Sequence, residues 1–457
     1  MIKMKKPLIS LLAAVVALNA ASASSSGCST DFQAAIFANA ADASSAPSKA
    51  SNYIISRGVP AYSGSNSNAS FANDDFYYTS WNGSVNDYIA YDFSSVPESQ
   101  RKKVLAVWYT LGTYDNIGVY VSKQNEPVDY TIEVNSAQGG EYPESGWETV
   151  ETITENGFAS RQHLVDMEGC NWLRMRVTKS SGSSISINFD VHDASNGIND
   201  SWIFFGDSIT AGGMGNAYGT GYATYVNQLD ERFFPIQENG GIGGITSLDG
   251  KENIDKWLSV SYAKYVSIAY GTNDCWGNPD KAETYYNNTK YMVDAILAAG
   301  KVPVLPKIPY STNDDVGSNV GYYNAMIDRL YDEYGDKIIH GPDFEEFFRN
   351  NTWGLSGDGV HPSSEGYDAM RKLWAETMVE NVYSKVQSGD NPDIKGDVNN
   401  DGEFTVADAV LLSKWLHGAP DTYLDNPNAA DLCSDNRLDI FDLVAARKLL
   451  ISENIVS

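Results

Sequence analysis

Basic residues are scarce: Lys and Arg number 32 against 59 Asp and Glu, a formal net charge of -27 at pH 7. That balance excludes nucleic acid as a partner, because phosphate binding needs clustered Lys and Arg. Cysteine is nearly absent. The four, Cys28, Cys170, Cys275 and Cys433, fit no zinc spacing. Cys28 and Cys170 are the candidates for a disulfide in an oxidising compartment. Cys275 and Cys433 read as thiols in separate domains. Long apolar runs are also missing. The only one, residues 8–18, follows Lys3, Lys5 and Lys6 and precedes Ala21-Ser22-Ala23. It is too short to span a bilayer, which takes about 20 apolar residues. Residues 1–23 therefore read as a signal peptide cleaved after Ala23, and the protein as secreted, with no membrane partner. Aromatics, in contrast, are abundant, with 28 Tyr and 10 Trp. Sugar-binding proteins share that bias, and so do Tyr-rich β-sandwiches.

The length calls for two or three domains. Residues 28–195 alternate apolar and polar, as in Tyr130, Ile132 and Val134, then Leu173, Met175 and Val177, then Ile185, Ile187, Phe189 and Val191. Period-two patterning predicts strands with one buried face, here a jelly-roll β-sandwich serving as an accessory or carbohydrate-binding-like domain. Over residues 200–386 the pattern changes. Apolar runs at 203–205, 265–270, 302–308 and 338–339 alternate with helical stretches at 281–299, 320–333 and 363–384. This predicts a parallel α/β sheet, whose ligand site lies beyond the C-terminal ends of its strands. Residues 387–394 read as a polar linker. Residues 395–451 hold an internal repeat offset by 34 positions, Asp397 with Asp431 and Asp408 with Asp442.

Ester cleavage by a hydroxyl needs a nucleophile, a base, a group that orients the base, and an oxyanion cradle. Gly206-Asp207-Ser208 closes the first α/β strand and offers Ser208 as nucleophile. His361 lies in a late polar loop, three residues after Asp358, which can accept from the imidazole and fix its tautomer. Backbone amides at Ser208 and Gly244 and the side-chain amide of Asn273 are candidates for the cradle. Trp276 is a candidate substrate-binding residue. Cys275 reads as a small packed side chain. His163, His192 and His340 lack such surroundings.

These blocks resemble the SGNH, or GDSL-type, hydrolase superfamily: Gly206 to Thr210, Asn239 to Thr246, Gly271-Thr272-Asn273-Asp274, and Asp358 to Pro362. The resemblance implies a flavodoxin-like three-layer fold, an acyl-enzyme mechanism without a cofactor, and the oxyanion glycine at Gly244, where three neighbouring glycines compete for the role.

The terminal repeat has the spacing of a calcium loop. Ca²⁺ takes six or more oxygens, from loop positions 1, 3, 5, 9 and 12 and a backbone carbonyl at 7. In the first copy these are Asp397, Asn399, Asp401, Thr405, Asp408 and, through its backbone, Glu403. In the second they are Asp431, Asp435, Asp439, Asp442 and the Arg437 backbone; Cys433 replaces an oxygen ligand, so weaker binding is expected there. The repeat resembles a type I dockerin, a small α module with paired calcium loops. That resemblance implies a cohesin of a scaffoldin as partner, with recognition pairs at Val406-Ala407 and Ile440-Phe441. A sandwich before an SGNH domain resembles carbohydrate esterases such as those of family two. The combined expectation is a secreted cellulosomal esterase that removes acetyl groups from a plant polysaccharide, xylan or mannan. The competing readings are a lipase or thioesterase of the same superfamily and a non-catalytic carbohydrate-binding subunit.

Overall fold

The computed structural model describes residues 52–65, 68–74, 76, 79–110, 125–214, 221–385, 395–399, 404–419, 422–424, 426–433 and 438–453. The signal-peptide segment, Cys28 with its proposed pairing to Cys170, and the 387–394 linker lie outside them.

Among the described residues nine antiparallel strands build the N-terminal sandwich: β1 (Ala61–Ser63), β2 (Trp81–Gly83), β3 (Tyr88–Asp92), β4 (Lys103–Thr110), β5 (Pro127–Asn135), β6 (Glu148–Ile153), β7 (Ser160–Asp166), β8 (Trp172–Ser180) and β9 (Ile185–Asp193). They form one sheet in the order β1-β3-β8-β5-β6 and a second in the order β2-β9-β4-β7. The alternating residues Ile132, Val134, Leu173, Met175, Ile187, Phe189 and Val191 all enter the core between the sheets, as the period-two pattern requires.

Strand β4 behaves differently, because Val104 to Thr110 are buried on both faces. Val104, Ala106 and Trp108 fill the sandwich core. Leu105, Val107 and Tyr109 point the other way, into a core shared with the following domain. A continuous apolar run is what a strand covered on both sides needs. The two units are also joined by polar contacts. Fully buried Glu238 accepts from Ser160 Oγ at 2.9 Å and from Gln162 Nε2. Gln162 Oε1 in turn accepts from the Tyr262 amide at 2.6 Å.

The second unit is a parallel sheet of β10 (Ser201–Gly206), β11 (Ile236–Gly241), β12 (Tyr265–Ala269), β13 (Val302–Leu305) and β14 (Ile339–His340). Its order is β11-β10-β12-β13-β14, the flavodoxin-like 2-1-3-4-5 arrangement. Strand β10 alternates Ile203 and Phe205 toward one core with Trp202 and Phe204 toward the other, which makes three layers. Helices α1 (Ser208–Gly213), α2 (Tyr222–Leu229), α3 (Ser247–Leu258), α4 (Thr272–Cys275), α5 (Ala282–Ala298), α6 (Val320–Tyr334) and α7 (Ser364–Asn381) cover the sheet or cap its strands. The strand expected over 302–308 stops at Leu305, where Pro306, with no N–H to donate, ends the ladder. Strand β11 carries Glu238, Asn239 and two glycines, and its polar composition hid it from apolar-run reasoning.

At the C-terminus, α8 (Val406–Leu416) and α9 (Ile440–Glu453) pack through Ala409, Leu412, Leu443, Ala446 and Leu450. No helix of the described residues is long and apolar enough to cross a membrane.

Candidate active site

The candidate residues come from the loops at the C-terminal ends of β10, β11 and β12 and from the late 355–362 segment. Asp207 ends the first of these and caps α1, its carboxylate accepting from the Ile209 amide at 2.9 Å. That cap fixes Ser208 as the first helical residue. Amides at a helix start have no intrahelical acceptor, and the helix dipole favours negative charge there. Burial pushes the Asp207 carboxyl up to about 7, against the hydrogen bond from Ile209.

Ser208 Oγ lies 2.8 Å from His361 Nε2, and His361 Nδ1 lies 2.7 Å from Asp358 Oδ2. The sequence-predicted trio is therefore brought into one hydrogen-bonded chain. Asp358 Oδ1 accepts separately from the amides of Val360 and His361, each at 2.9 Å, and from Ser356 Oγ at 2.8 Å. Burial raises the Asp358 carboxyl, but the His361 ring and these further donors outweigh it and hold the group well below the usual carboxylate range. The loop itself is braced. Leu355 bridges Pro362, Ser356 N donates to His361 O at 2.7 Å, and Gly359 O accepts from Thr312 N at 2.9 Å. Ser356 and Thr312 had no role in the sequence-based reading; a hydroxyl two residues before a candidate acid was the available signal.

Both proposed cradle loops border this chain. Ile242 N donates to Gly206 O at 2.9 Å and Asn239 Nδ2 to Ala211 O at 2.8 Å, so the glycine block is tied to the serine loop. Gly244 sits at φ +79 in a turn, the left-handed region that disfavours side chains. Among the described residues no acceptor takes its amide. Asn273 follows Gly271, whose φ of +135 and tight approach to Ile308 admit only glycine: an added Cβ would lie 2.3 Å from Ile308 Cδ1. Asn273 Nδ2 donates to Ile245 O at 2.8 Å, which uses one of its two N–H groups and leaves the other for a ligand.

Cys275 is buried, its thiol donates weakly to Thr272 O at 3.4 Å, and burial pushes it up to about 12, so it is inert as a nucleophile. Trp276, one residue on, is 40% exposed at the rim of the Asn273 loop. The other histidines are engaged elsewhere, His417 with Ser413 O in the terminal module. His163 is buried between Tyr130 OH and Glu151, His192 bonds to Asn52 O, and His340 stacks on Tyr331.

In the terminal module Asp408, at loop position 12, accepts from the amides of Val398 at 3.0 Å and Thr405 at 2.8 Å. Asp442 accepts likewise from Cys433 at 3.0 Å and Asp439 at 2.9 Å. Asp397, Asp408 and Asp442 are buried, and the candidate ligands of the first loop are all oxygen, the chemistry calcium selects. Asp401, Glu403, Asp435 and Arg437 lie outside the described residues. Asn399, Thr405, Asp431 and Asp439 lie within them, and no group of three or more His, Cys, Asp or Glu among the described residues converges on a metal position. Val406, Ile440 and Phe441 are exposed, at 64%, 53% and 65%.

Residues 204–369 match the GDSL-like Lipase/Acylhydrolase family and residues 395–450 match the Dockerin type I domain. A multidomain esterase of Ruminococcus flavefaciens is 26% identical over 259 residues, 51% of this chain but only 31% of that protein. A putative endoglucanase X of Acetivibrio thermocellus is 26% identical over 198 residues, 40% of this chain and 82% of that one. Among solved structures, a lipase/acylhydrolase from Enterococcus faecalis shares 20% identity at a TM-score of 0.33, covering 39% of this chain and 94% of its own. A catalytic mutant of an acetylxylan esterase from Geobacillus stearothermophilus shares 23% identity at a TM-score of 0.33, covering 40% and 94%.

Proposed function

We propose that this chain, which carries a GDSL-type hydrolase domain and a C-terminal type I dockerin, is a secreted cellulosomal esterase that removes acetyl groups from a plant cell-wall polysaccharide, xylan or mannan. The observation that carries the chemistry is the Ser208–His361–Asp358 chain at the head of α1. Ser208 Oγ attacks the acetyl carbonyl carbon while His361 Nε2 takes the hydroxyl proton. The oxyanion is held by the Ser208 and Gly244 amides and by Asn273 Nδ2, each such donor contributing about 10²–10³ in rate. The intermediate collapses, His361 returns the proton to the departing sugar hydroxyl, and acetyl remains on Ser208. Water then attacks, His361 takes its proton, and the intermediate collapses as His361 passes that proton to the departing Ser208 Oγ and acetic acid leaves. Asp358 stays ionised and holds the imidazole in the tautomer that accepts from Ser208. Trp276 stacks against a sugar of the substrate chain.

The domains of this reading are the signal peptide 1–23, the sandwich 28–195, the hydrolase 200–386, the linker 387–394 and the dockerin 395–451. The dockerin implies calcium and a cohesin partner. Its exposed Val406, Ile440 and Phe441 supply the contact surface for the cohesin of a scaffoldin. Acetate release from acetylated xylan, glucomannan and pectin tests the substrate. Preference for long-chain nitrophenyl esters over acetyl would favour a lipase instead. Capture by a cohesin should be lost with EDTA.

A further inference from the structure

The two cradle loops are fastened to each other by a carboxylate that the reaction does not consume. Asp274 sits in the single turn α4, beside Asn273. Its Oδ2 accepts from the Ser247 amide at 2.9 Å, and its Oδ1 from the Ser247 hydroxyl. Ser247 opens α3 and follows Gly244 by three residues. Asn273 Nδ2 reaches the same stretch at Ile245 O, 2.8 Å away. Contacts from residues 273 and 274 thus grip residues 245 and 247, one on each side of Thr246. Further bonds hold the grip in place. Asn288 Nδ2 donates to Ser247 Oγ at 3.1 Å, Tyr323 OH donates to Asp274 O at 3.0 Å, and Asp249 accepts from the Thr246 amide at 2.8 Å.

We infer that Asp274 is a positioning residue of the proposed esterase: it clamps the Gly244 loop to the Asn273 loop and so sets the spacing of two oxyanion donors contributed by different strands. The inference rests on the acyl-enzyme reading given above. The geometry explains why a carboxylate stands here. Both Ser247 groups donate, and an ionised carboxylate accepts through both oxygens at once. Gly244 lies on an exposed turn at positive φ, and the loop needs an outside anchor to hold its amide in place. Displacing a pre-set donor by even 1 Å costs catalysis without costing ground-state binding.

The test compares wild type, Asp274→Ala, Asp274→Asn and Ser247→Ala on nitrophenyl acetate, with thermal unfolding and inhibition by methylboronic acid measured alongside. The boronate forms a tetrahedral adduct that needs the cradle. Expected is a fall in kcat of about 10–100-fold for Asp274→Ala with KM within about twofold, and a matching weakening of the boronate. Asp274→Asn keeps one acceptor and Ser247→Ala keeps the amide bond, so both should fall between. Should Asp274→Ala fail to fold, these milder variants carry the test. A folded variant series with unchanged kcat and boronate affinity, or one losing only thermal stability, overturns the clamp. Wild type that neither turns over the ester nor binds the boronate overturns the esterase reading, and the clamp with it.

Discussion

Asp358→Asn should damage this protein more than Asp358→Ala. Oδ1 of Asp358 accepts three donors, the Val360 and His361 amides and Ser356 Oγ. An asparagine at 358 must place its one oxygen there, because an NH₂ group would face three donors. Its nitrogen then occupies the Oδ2 position, 2.7 Å from His361 Nδ1. That nitrogen donates, so Nδ1 is forced to accept and the ring proton moves to Nε2. Nε2 then donates to Ser208 Oγ and is lost as a base. A wrong-tautomer block of this kind costs about 10³–10⁴ in kcat, or about 4–5.5 kcal/mol of barrier. In Asp358→Ala no group dictates the tautomer, and water reaches Nδ1 because the Asp358 and His361 side chains are 50% and 38% exposed. The loss there should be smaller, because the tautomer that accepts from Ser208 stays open to the ring. Steady-state kcat on nitrophenyl acetate for the two variants decides. If the asparagine variant equals or exceeds the alanine variant, Asp358 does not act through the tautomer.

Glu238→Ala leaves Ser160 and Gln162 without their shared buried acceptor and should lower stability by about 2–4 kcal/mol, read as a lower Tm; an unchanged Tm would mean the sandwich is not fastened there. Burial raises the Asp200 carboxyl to about 7 from 3.8, against the hydrogen bonds from Tyr383 and Trp202. The folded protein therefore holds this proton more tightly than the unfolded chain, and its contribution to stability is full below about pH 4 and lost as pH rises to about 7. Tyr383 and Trp202 both donate to Oδ1, while Oδ2 is buried with no hydrogen-bond partner among the described residues. Asp200→Asn should accordingly exceed wild type in stability at pH 8 by about 1–3 kcal/mol, and denaturant titrations at pH 5 and pH 8 showing equal gaps would contradict that. Trp276→Ala should raise KM several-fold on acetylated polysaccharide while leaving KM on nitrophenyl acetate unchanged; equal effects on both would remove Trp276 from the sugar site.

The blocks around Ser208, Asn273 and His361 were legible because each sits where an apolar period breaks into small polar residues, and a strand end is where such a break is useful. The sandwich strands were legible for the same reason, through alternation. Three features were not. Strand β11 is polar and glycine-rich, because its Asn239 and Glu238 serve hydrogen bonds to α1 and to the sandwich rather than a core. The second face of β4 needed a partner domain to give Leu105, Val107 and Tyr109 meaning, although the unbroken apolar run of residues 104–109 announced it. The Asp274–Ser247 contact joins positions 27 residues apart through loop geometry, which no local pattern encodes.

The central claim is that Ser208 carries the acyl group. Rapid-quench mass analysis during turnover of an acetyl ester tests it most directly. The account predicts an acetyl adduct on the peptide containing Ser208, absent from Ser208→Ala together with turnover. Turnover that persists in Ser208→Ala, or an adduct on another residue, would contradict it.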